Sequence, residues 1–413
     1  MANNYDVIVV GGGCGGVGAA AGAARAGAKT LLIESAGCLG GAASLRNVVT
    51  YCGFYTLGET PQQVVFGVGE QVLEKLRRHG GVSGPHRFRG VFLAFDPETN
   101  KLALDEVCQD AGVHLNLHSR LVGATRNDAG ISEITVQDTG GIRTLTAGSF
   151  VDATGDANLG HLAGASVRYG NDGAVNLGSL GTRFGGIPSN VDVTAEQIAA
   201  AVETSKAGHP GIFTKMASVV VRLPISSDLC IYVASADYDP RETTSITAAE
   251  LSGRRQAAAY LDALRMIEGC ENAYLVSTGP EFGTRESRHL NCAYQLTWSD
   301  IEAHKKFDDC IAIGAWGAEW HDRKTYVSTL DLPPQGASYD IPLGCLTSID
   351  TPNLFAAGRT ADGDRMAGAA IRVMGTAYAT GQAAGIAAAR FADSGNLDVA
   401  GIRSILKQQD ANL

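Results

Sequence analysis

"YDVIVVGGGCGGVGAAAGAARAGAKTLLIES", Tyr5 to Ser35, decides how the chain is read. Tyr5 to Val10 is a short, continuous apolar run, the pattern of a strand buried on both faces. Gly11, Gly13 and Gly16 follow as G-x-G-x-x-G. An alanine-rich helix pattern then runs to Gly27, and a second apolar run, Thr30 to Ile33, ends in Glu34. Each glycine has its own task. Gly11 permits the tight turn, Gly13 lets backbone approach a pyrophosphate, and Gly16 lets the helix pack on the sheet. The free N–H groups and dipole of the helix N-terminus favour a phosphate. Glu34 stands 23 residues after Gly11, close to where an acid binds ribose hydroxyls. Strand, glycine turn, helix, strand and acid together separate a dinucleotide site from a merely glycine-rich turn. Cys14, inside the loop, reads as a small packing residue rather than a nucleophile.

The composition around this stretch narrows the class. The 413 residues correspond to two or three domains. Apolar residues make up 45% and charged residues 18%, as in an ordinary globular protein. The 52 glycines have no period, which excludes collagen-like and repeat folds. The net charge is -10 and no basic stripe stands out, which argues against a nucleic-acid partner. "KLRRH", Lys75 to His79, reads as a solvated helix face. The nine cysteines form no C-x-x-C pair, so zinc ribbons, iron–sulfur clusters and a dithiol redox centre are unsupported, and no metal site is expected. "MANNYD" carries no positive charge and makes a poor signal peptide. The late small-residue run contains Arg372 and Gln382 and makes a poor membrane span. A soluble, cytoplasmic protein of a reducing compartment is expected.

Two further stretches carry nucleotide-like chemistry. In "SFVDATGDANLGHLAG", Ser149 to Gly164, a strand over Phe150–Ala153 meets a Thr154-Gly155-Asp156 turn into a short helix. The segment before it alternates over short runs and predicts a small β-meander. There His114 and His118 alternate with Leu115 and Leu117, which places them on the polar face of a strand. Late in the chain, "AAGRTADGDRMAG", Ala356 to Gly368, repeats the layout of apolar run, glycine and helix. A loop near residue 11 holds only one end of a long dinucleotide. A second glycine turn followed by a helix N-terminus serves the other end.

On these residues the chain resembles the FAD-dependent oxidoreductases of the glutathione-reductase-like, two-dinucleotide-domain fold. "GTRESRHL" (283–290), "WHD" (320–322) and "YDIPLGCL" (339–346) extend the likeness over nearly the whole chain. The resemblance implies an α/β fold: a discontinuous Rossmann-like FAD-binding domain, residues 1–165 and 340–413, with a mixed α/β substrate domain, 166–339, inserted in it. It implies that Gly11, Gly13, Gly16, Glu34 and Gly41 grip the ADP half of FAD, with Ala153, Gly155 and Asp156 beside them. Gly358, Arg359, Asp364, Ala370 and Ile371 then close over the ribityl chain and flavin. The helix pattern after Ala367 aims its N-terminus at the flavin ring, where free N–H groups stabilise negative charge at N1/O2. No second G-x-G-x-x-G lies between these anchors, which argues against a pyridine-nucleotide:disulfide reductase.

Within 166–339, "VRYGNDGAVNLGSLGTRFGG", "SVVVRLP", "LCIYVASADYD" and "AYLVSTGPEF" read as strands. "TAEQIAAAVETSKAG", opening at an N-cap Thr194 with Glu196 close behind, and "TAAELSGRRQAAAYLDALRMIEG" read as helices. These strands are expected to roof the flavin. His321 is the leading candidate for the base, because imidazole accepts protons near neutral pH and the family carries a histidine at the matching place; a satisfied core histidine is the alternative. Arg288 is a candidate for a phosphate or carboxylate, and Glu286 for a structural ion-pair knot. Arg46, Asn47, Tyr51 and Cys52 are candidate cavity wall, and Cys38 and Cys52 read as small buried residues before thiols or flavin attachment points. Where relatives place Ser and a His-Glu pair before the final helix, this chain has Asp362, Arg365 and Met366. Arg365 is then a candidate anion binder or a partner of Asp362 or Asp364. The expected activity is hydride movement between a small organic substrate and flavin N5, with O2, a quinone or a protein as electron acceptor. A flavin monooxygenase or halogenase, a non-redox FAD-binding protein and an NAD-only dehydrogenase are the rivals.

Overall fold

The structure, a computed structural model, describes residues 5–413. Its centre is a five-stranded sheet in the order Leu354–Ala356, Ala147–Asp152, Tyr5–Val10, Thr30–Ile33, His114–Asn116. All four pairings are parallel, with Val9 opposite both Val151 and Leu32. Strands of a parallel sheet are covered on both faces, which is why the first apolar run is continuous rather than alternating. Val7, Ile8 and Val9 have no exposed surface. This is the Rossmann-like α/β fold that the opening stretch predicts.

The glycine loop leads into the helix Cys14–Arg25, and the late helix Met374–Ser394 packs on that helix. The two meet backbone on backbone. A Cβ at Gly18 would sit 2.6 Å from Tyr378 O, and one at Gly381 or Gly385 would overlap the carbonyls of Gly15 and Ala19. Small residues are what let two helix axes come this close, so alanine and glycine fill both.

The structure corrects several expectations locally. The strand expected at Phe150–Ala153 is Ala147–Asp152, and its last residue turns inward. Buried Asp152 accepts from Thr154 N and Oγ1 and from Gly160 N, which fixes the turn into the short helix Asn158–Leu162. The final helix is two helices, Arg365–Ile371 and Met374–Ser394. Asp364 caps the first by accepting from Met366 N and Ala367 N. Val373 is extended and opens the second, where Gly375 packs so tightly on Cys52 O that a Cβ would lie 2.6 Å from it. His114 lies in an edge strand, but His118 sits at positive φ in a turn, its N–H on Ala36 O. The meander is present as Arg120–Asn127, Gly130–Asp138 and Gly141–Leu145.

The middle of the chain builds an antiparallel sheet in the order Val220–Arg222, Leu229–Ala236, Gly178–Gly185, Tyr274–Thr278. Helices Ala195–Ser205 and Thr243–Leu264 pack with it around Leu180, Phe184, Ile231, Val233 and Tyr260. Thr194 caps the first helix as expected, with Gln197 closing the box. Cys230 and Tyr232 of this sheet join the main core instead, and the Tyr232 hydroxyl accepts from Val49 N at 3.0 Å. The antiparallel sheet therefore lies directly over the N-terminal loop segment.

Candidate cofactor and substrate site

A cavity of about 520 Å³ runs between the glycine loop and the roof. That lies within the roughly 300–1,000 Å³ of small-molecule and cofactor sites. Gly11, Gly13–Gly15, Glu34, Gly41, Ala153–Asp156, Ala357–Arg359, Arg372 and Met374 line it, and Pro240, Arg241 and Glu281 close it from above. The loop is cut for a ligand. Gly11 takes φ +101°, and side chains at Gly11 and Gly16 would overlap Ala153 O and Gly11 O. Gly13 is different: a Cβ there would meet nothing nearer than Gly41 Cα at 4.0 Å. Its missing side chain is open space on the cavity wall, as close backbone approach to a pyrophosphate requires.

Glu34 is held rigidly at the end of its strand. One carboxylate oxygen accepts from Gly12 N at 2.7 Å, and the other from Ala36 N at 2.8 Å and Ser35 Oγ at 3.0 Å. Gly40 N donates to Gly12 O, so the glycine pair after the acid is tied to the first loop. At the other end, Gly358 takes φ +68°. Arg359 pairs with Asp156 at 3.3 Å, and any side chain at Gly155 would occupy the guanidinium's place. Buried Arg359 Nη1 and Ser44 Oγ have no partner among the described residues. An orphaned Arg359 nitrogen on the wall and a glycine cradle at both ends of one cavity fit a long, phosphate-bearing dinucleotide.

The expected site residues fall into separate places. Gly11, Gly13, Glu34, Gly41, Ala153, Gly155, Asp156, Gly358, Arg359 and Arg288 line the cavity. Gly16 packs the helix beneath it. Asp364 caps its helix and also accepts from Trp298 N, while Ala370 and Ile371 are core residues; none of these three lines the cavity. The helix N-terminus at the cavity is that of Met374–Ser394, not that of Arg365–Ile371. His321, Arg288 and Arg365 do not converge. Arg288 reaches Asn158 Oδ1 at 3.4 Å, and the Arg365 guanidinium lies 3.9 Å above the Trp320 ring. Asp362 is buried against Arg168 at 2.9 Å and accepts from Cys292 N, and Arg365 pairs with neither acid. Glu286 accepts twice from Asn176 and lies 3.2 Å from His289, a buried knot whose Asn176 also accepts from His321 N.

His321 lies on the short strand Ala318–His321 beside residues that the sequence did not single out. Side chains two apart on a strand share a face. Glu319 and His321 therefore point one way, and Trp320 the other. Glu319 Oε1 is 3.2 Å from His321 Nε2. Arg372 Nη2 donates to Glu319 O at 2.9 Å and lies 3.9 Å from its carboxylate. Arg285 Nη1 donates to Leu177 O at 2.7 Å, and Leu177 N donates to His321 O at 2.9 Å. Burial, and then the Arg285 charge, push the His321 imidazole down to about 3. Burial would raise Glu319, but His321, Arg372 and Arg285 outweigh it and hold that carboxyl far below the usual range. Glu319 in "AEWHD" was detectable as an acid at strand spacing from the histidine; Arg285 and Arg372 carry no signal beyond their neighbours' motifs. Burial pushes the Cys14 thiol up to about 12 and raises Cys52 and Cys38, so none is a ready thiolate. Among the described residues no metal-ligating cluster occurs, and no helix is long and apolar enough to cross a membrane.

A cavity with a glycine cradle at both ends beneath an antiparallel roof suits a dinucleotide cofactor. The family model for FAD dependent oxidoreductases matches residues 6–408, and the chain belongs to that family, with FAD as its cofactor. No curated protein matches the chain. Among solved structures it is similar to CabE, described as an aromatic hydroxylase from angucycline biosynthesis (12% identity, TM-score 0.50), and to BexE, studied for oxidation during BE-7585A biosynthesis (14%, 0.50). Each match covers 98% of this chain and 66% of the other, so the chain spans about two thirds of their length. A geranylgeranyl bacteriochlorophyll reductase-like protein from Thermoplasma acidophilum is similar at 13% identity and a TM-score of 0.48, covering 98% of this chain and 82% of that one. At these identities the likeness is one of fold.

Proposed function

We propose that this FAD-dependent oxidoreductase moves a hydride between a carbon of a small organic substrate and the flavin. When bound, FAD supplies a hydride acceptor or donor at N5. Gly11, Gly13, Glu34 and Gly41 hold the ADP half, and Gly358, Arg359 and the N-terminus of Met374–Ser394 serve the flavin half. Residues 1–165 with 340–413 form the cofactor domain in this reading, and 166–339 the substrate domain. His321 accepts the substrate proton in this reading, and with a folded value of about 3 it becomes an effective base only once a bound anion offsets the Arg285 charge. Its imidazole is neutral at working pH, and Glu319 orients it.

The observation that carries this reading is Arg372, which lines the cavity and also binds Glu319, the neighbour of His321. The histidine thus stands one residue behind the cavity wall. Anaerobic screening of small alcohols, amines and acids for flavin bleaching tests the reading. His321→Asn is expected to slow the reductive half-reaction; an unchanged rate across pH removes His321 from the mechanism. Adding O2, quinones or electron-carrier proteins to the reduced enzyme identifies the acceptor. A cytoplasmic location belongs to the same proposal, supported by nine free cysteines.

The fold shared with CabE supports a second reading, flavin monooxygenation. A hydroxylated product formed only with external reductant and O2 distinguishes it from the first.

A further inference from the structure

Behind Arg372 lies a pocket of charge that the protein does not balance. Arg285, through Leu177, and Arg372, on Glu319 O, bring two guanidinium groups to the strand that carries Glu319 and His321, and Lys215 adds an amine whose charge feels Arg285 and Glu319. Glu319 is the one carboxylate among them, and His321 is neutral. Tyr232, Tyr238 and Cys52, the other titratable groups against the cluster, are all raised and carry no charge at neutral pH. Neither Arg285 nor Lys215 makes an ion pair with another described residue, and Arg285 spends one nitrogen on Leu177 O. Arg372 Nε and His321 Nδ1 are buried without a hydrogen bond, and His321 is only 6% exposed.

The cluster is not sealed at Glu319. Glu319 keeps 30% of its side chain exposed between the buried neighbours Ala318 and Trp320. Lys215 is fixed from behind, because the Tyr260 hydroxyl accepts from Lys215 N at 3.0 Å and donates to Lys215 O at 2.7 Å. Burial, followed by repulsion from Arg285, lowers the Lys215 ammonium to about 7. Arg285 and Lys215 are half-buried, an unpaired charge drawn partly out of water is costly, and guanidinium groups match a carboxylate in charge and in fork geometry.

We infer that the substrate carries a carboxylate, which Arg285 and Lys215 bind while its reacting carbon faces His321 and the flavin. This rests on the hydride-transfer reading above and names the substrate class for it.

The test titrates the FAD-loaded protein with acetate, succinate and benzoate, and with acetamide, succinamide and benzamide, at constant ionic strength. Flavin absorbance and tryptophan fluorescence are read together. At least one carboxylate is expected to bind saturably, with its amide weaker by about 10- to 100-fold, the range for a charge-assisted hydrogen bond. Arg285→Met and, separately, Lys215→Met weaken the carboxylate by a similar factor, and Arg285→Lys restores part of the loss. Equal binding of acids and amides overturns the inference. So does unchanged carboxylate binding in both Met variants, or no carboxylate binding at all. If carboxylates bind in an Arg285-dependent way yet no carboxylate-bearing compound bleaches the flavin, the hydride reading fails and the anion site stands.

Discussion

Glu319 and His321 occupy alternate positions of one four-residue strand, and their titration gives a pH prediction with a definite sign. The folded value of His321 is depressed to about 3, so between there and its ordinary 6.5 the unfolded chain binds more protons than the native one. Stability therefore falls as pH drops through that window. Glu319, also depressed, acts in the same sense: its contribution is present above its unfolded value and is lost on acidification. The two are coupled, so the protons belong to the pair. Chemical denaturation at pH 7 and pH 4.5 is expected to show a clear loss for the wild type and a smaller one for His321→Asn. Glu34→Gln replaces a carboxylate that accepts from two backbone amides, and is expected to weaken FAD retention by about tenfold or more, measured by flavin release on dilution. Of these residues Glu34 was legible, because its place is set by local spacing from Gly11. His321 stood out only through family likeness. Arg285 and Lys215 were not legible as a pair, since a loop and a helix-held turn 70 positions apart in sequence bring them together.

The two small-residue helices show what an element can and cannot announce. Their composition predicts close packing, and the structure realises it by seating the glycines of Met374–Ser394 directly on the carbonyl oxygens of Cys14–Arg25. Gly385→Ala is expected to destabilise by roughly 1–3 kcal/mol or more through overpacking, seen as a lower denaturation midpoint. Ala389→Gly, on the same helix, removes a buried Cβ together with helix propensity and is expected to cost about 1 kcal/mol or more. The break at Arg372-Val373 was not legible. It contains neither proline nor glycine, and it goes with the tertiary packing of Gly375 on Cys52 O. That break is what carries Arg372 and Met374 to the cavity and leaves Ala370 and Ile371 in the core.

At the scale of the molecule, separate cores fill the two faces of the parallel sheet while another fills the space between the antiparallel sheet and Thr243–Leu264. The parallel order of the first sheet was legible from the strand–helix–strand opening. The face of the roof that joins the main core through Cys230 and Tyr232 was not, because a strand covered on both faces by different partners reads only as apolar. With FAD held across elements from both ends of the chain, as proposed, stripping it is expected to lower the thermal midpoint. Restoring it to about 100 times its dissociation constant returns about 2.7 kcal/mol. The packing of one helix on the other has a consequence for how the protein comes into being. The glycine face of Cys14–Arg25 has nothing to lie against until Gly381 and Gly385 have been made, more than 350 positions later. During synthesis the nucleotide loop must wait, backed by a bare, sticky groove, for nearly the whole chain to emerge. Cofactor capture is thus a closing event in the birth of this protein, and ribosome-stalled chains ending before Met374 are expected not to retain FAD.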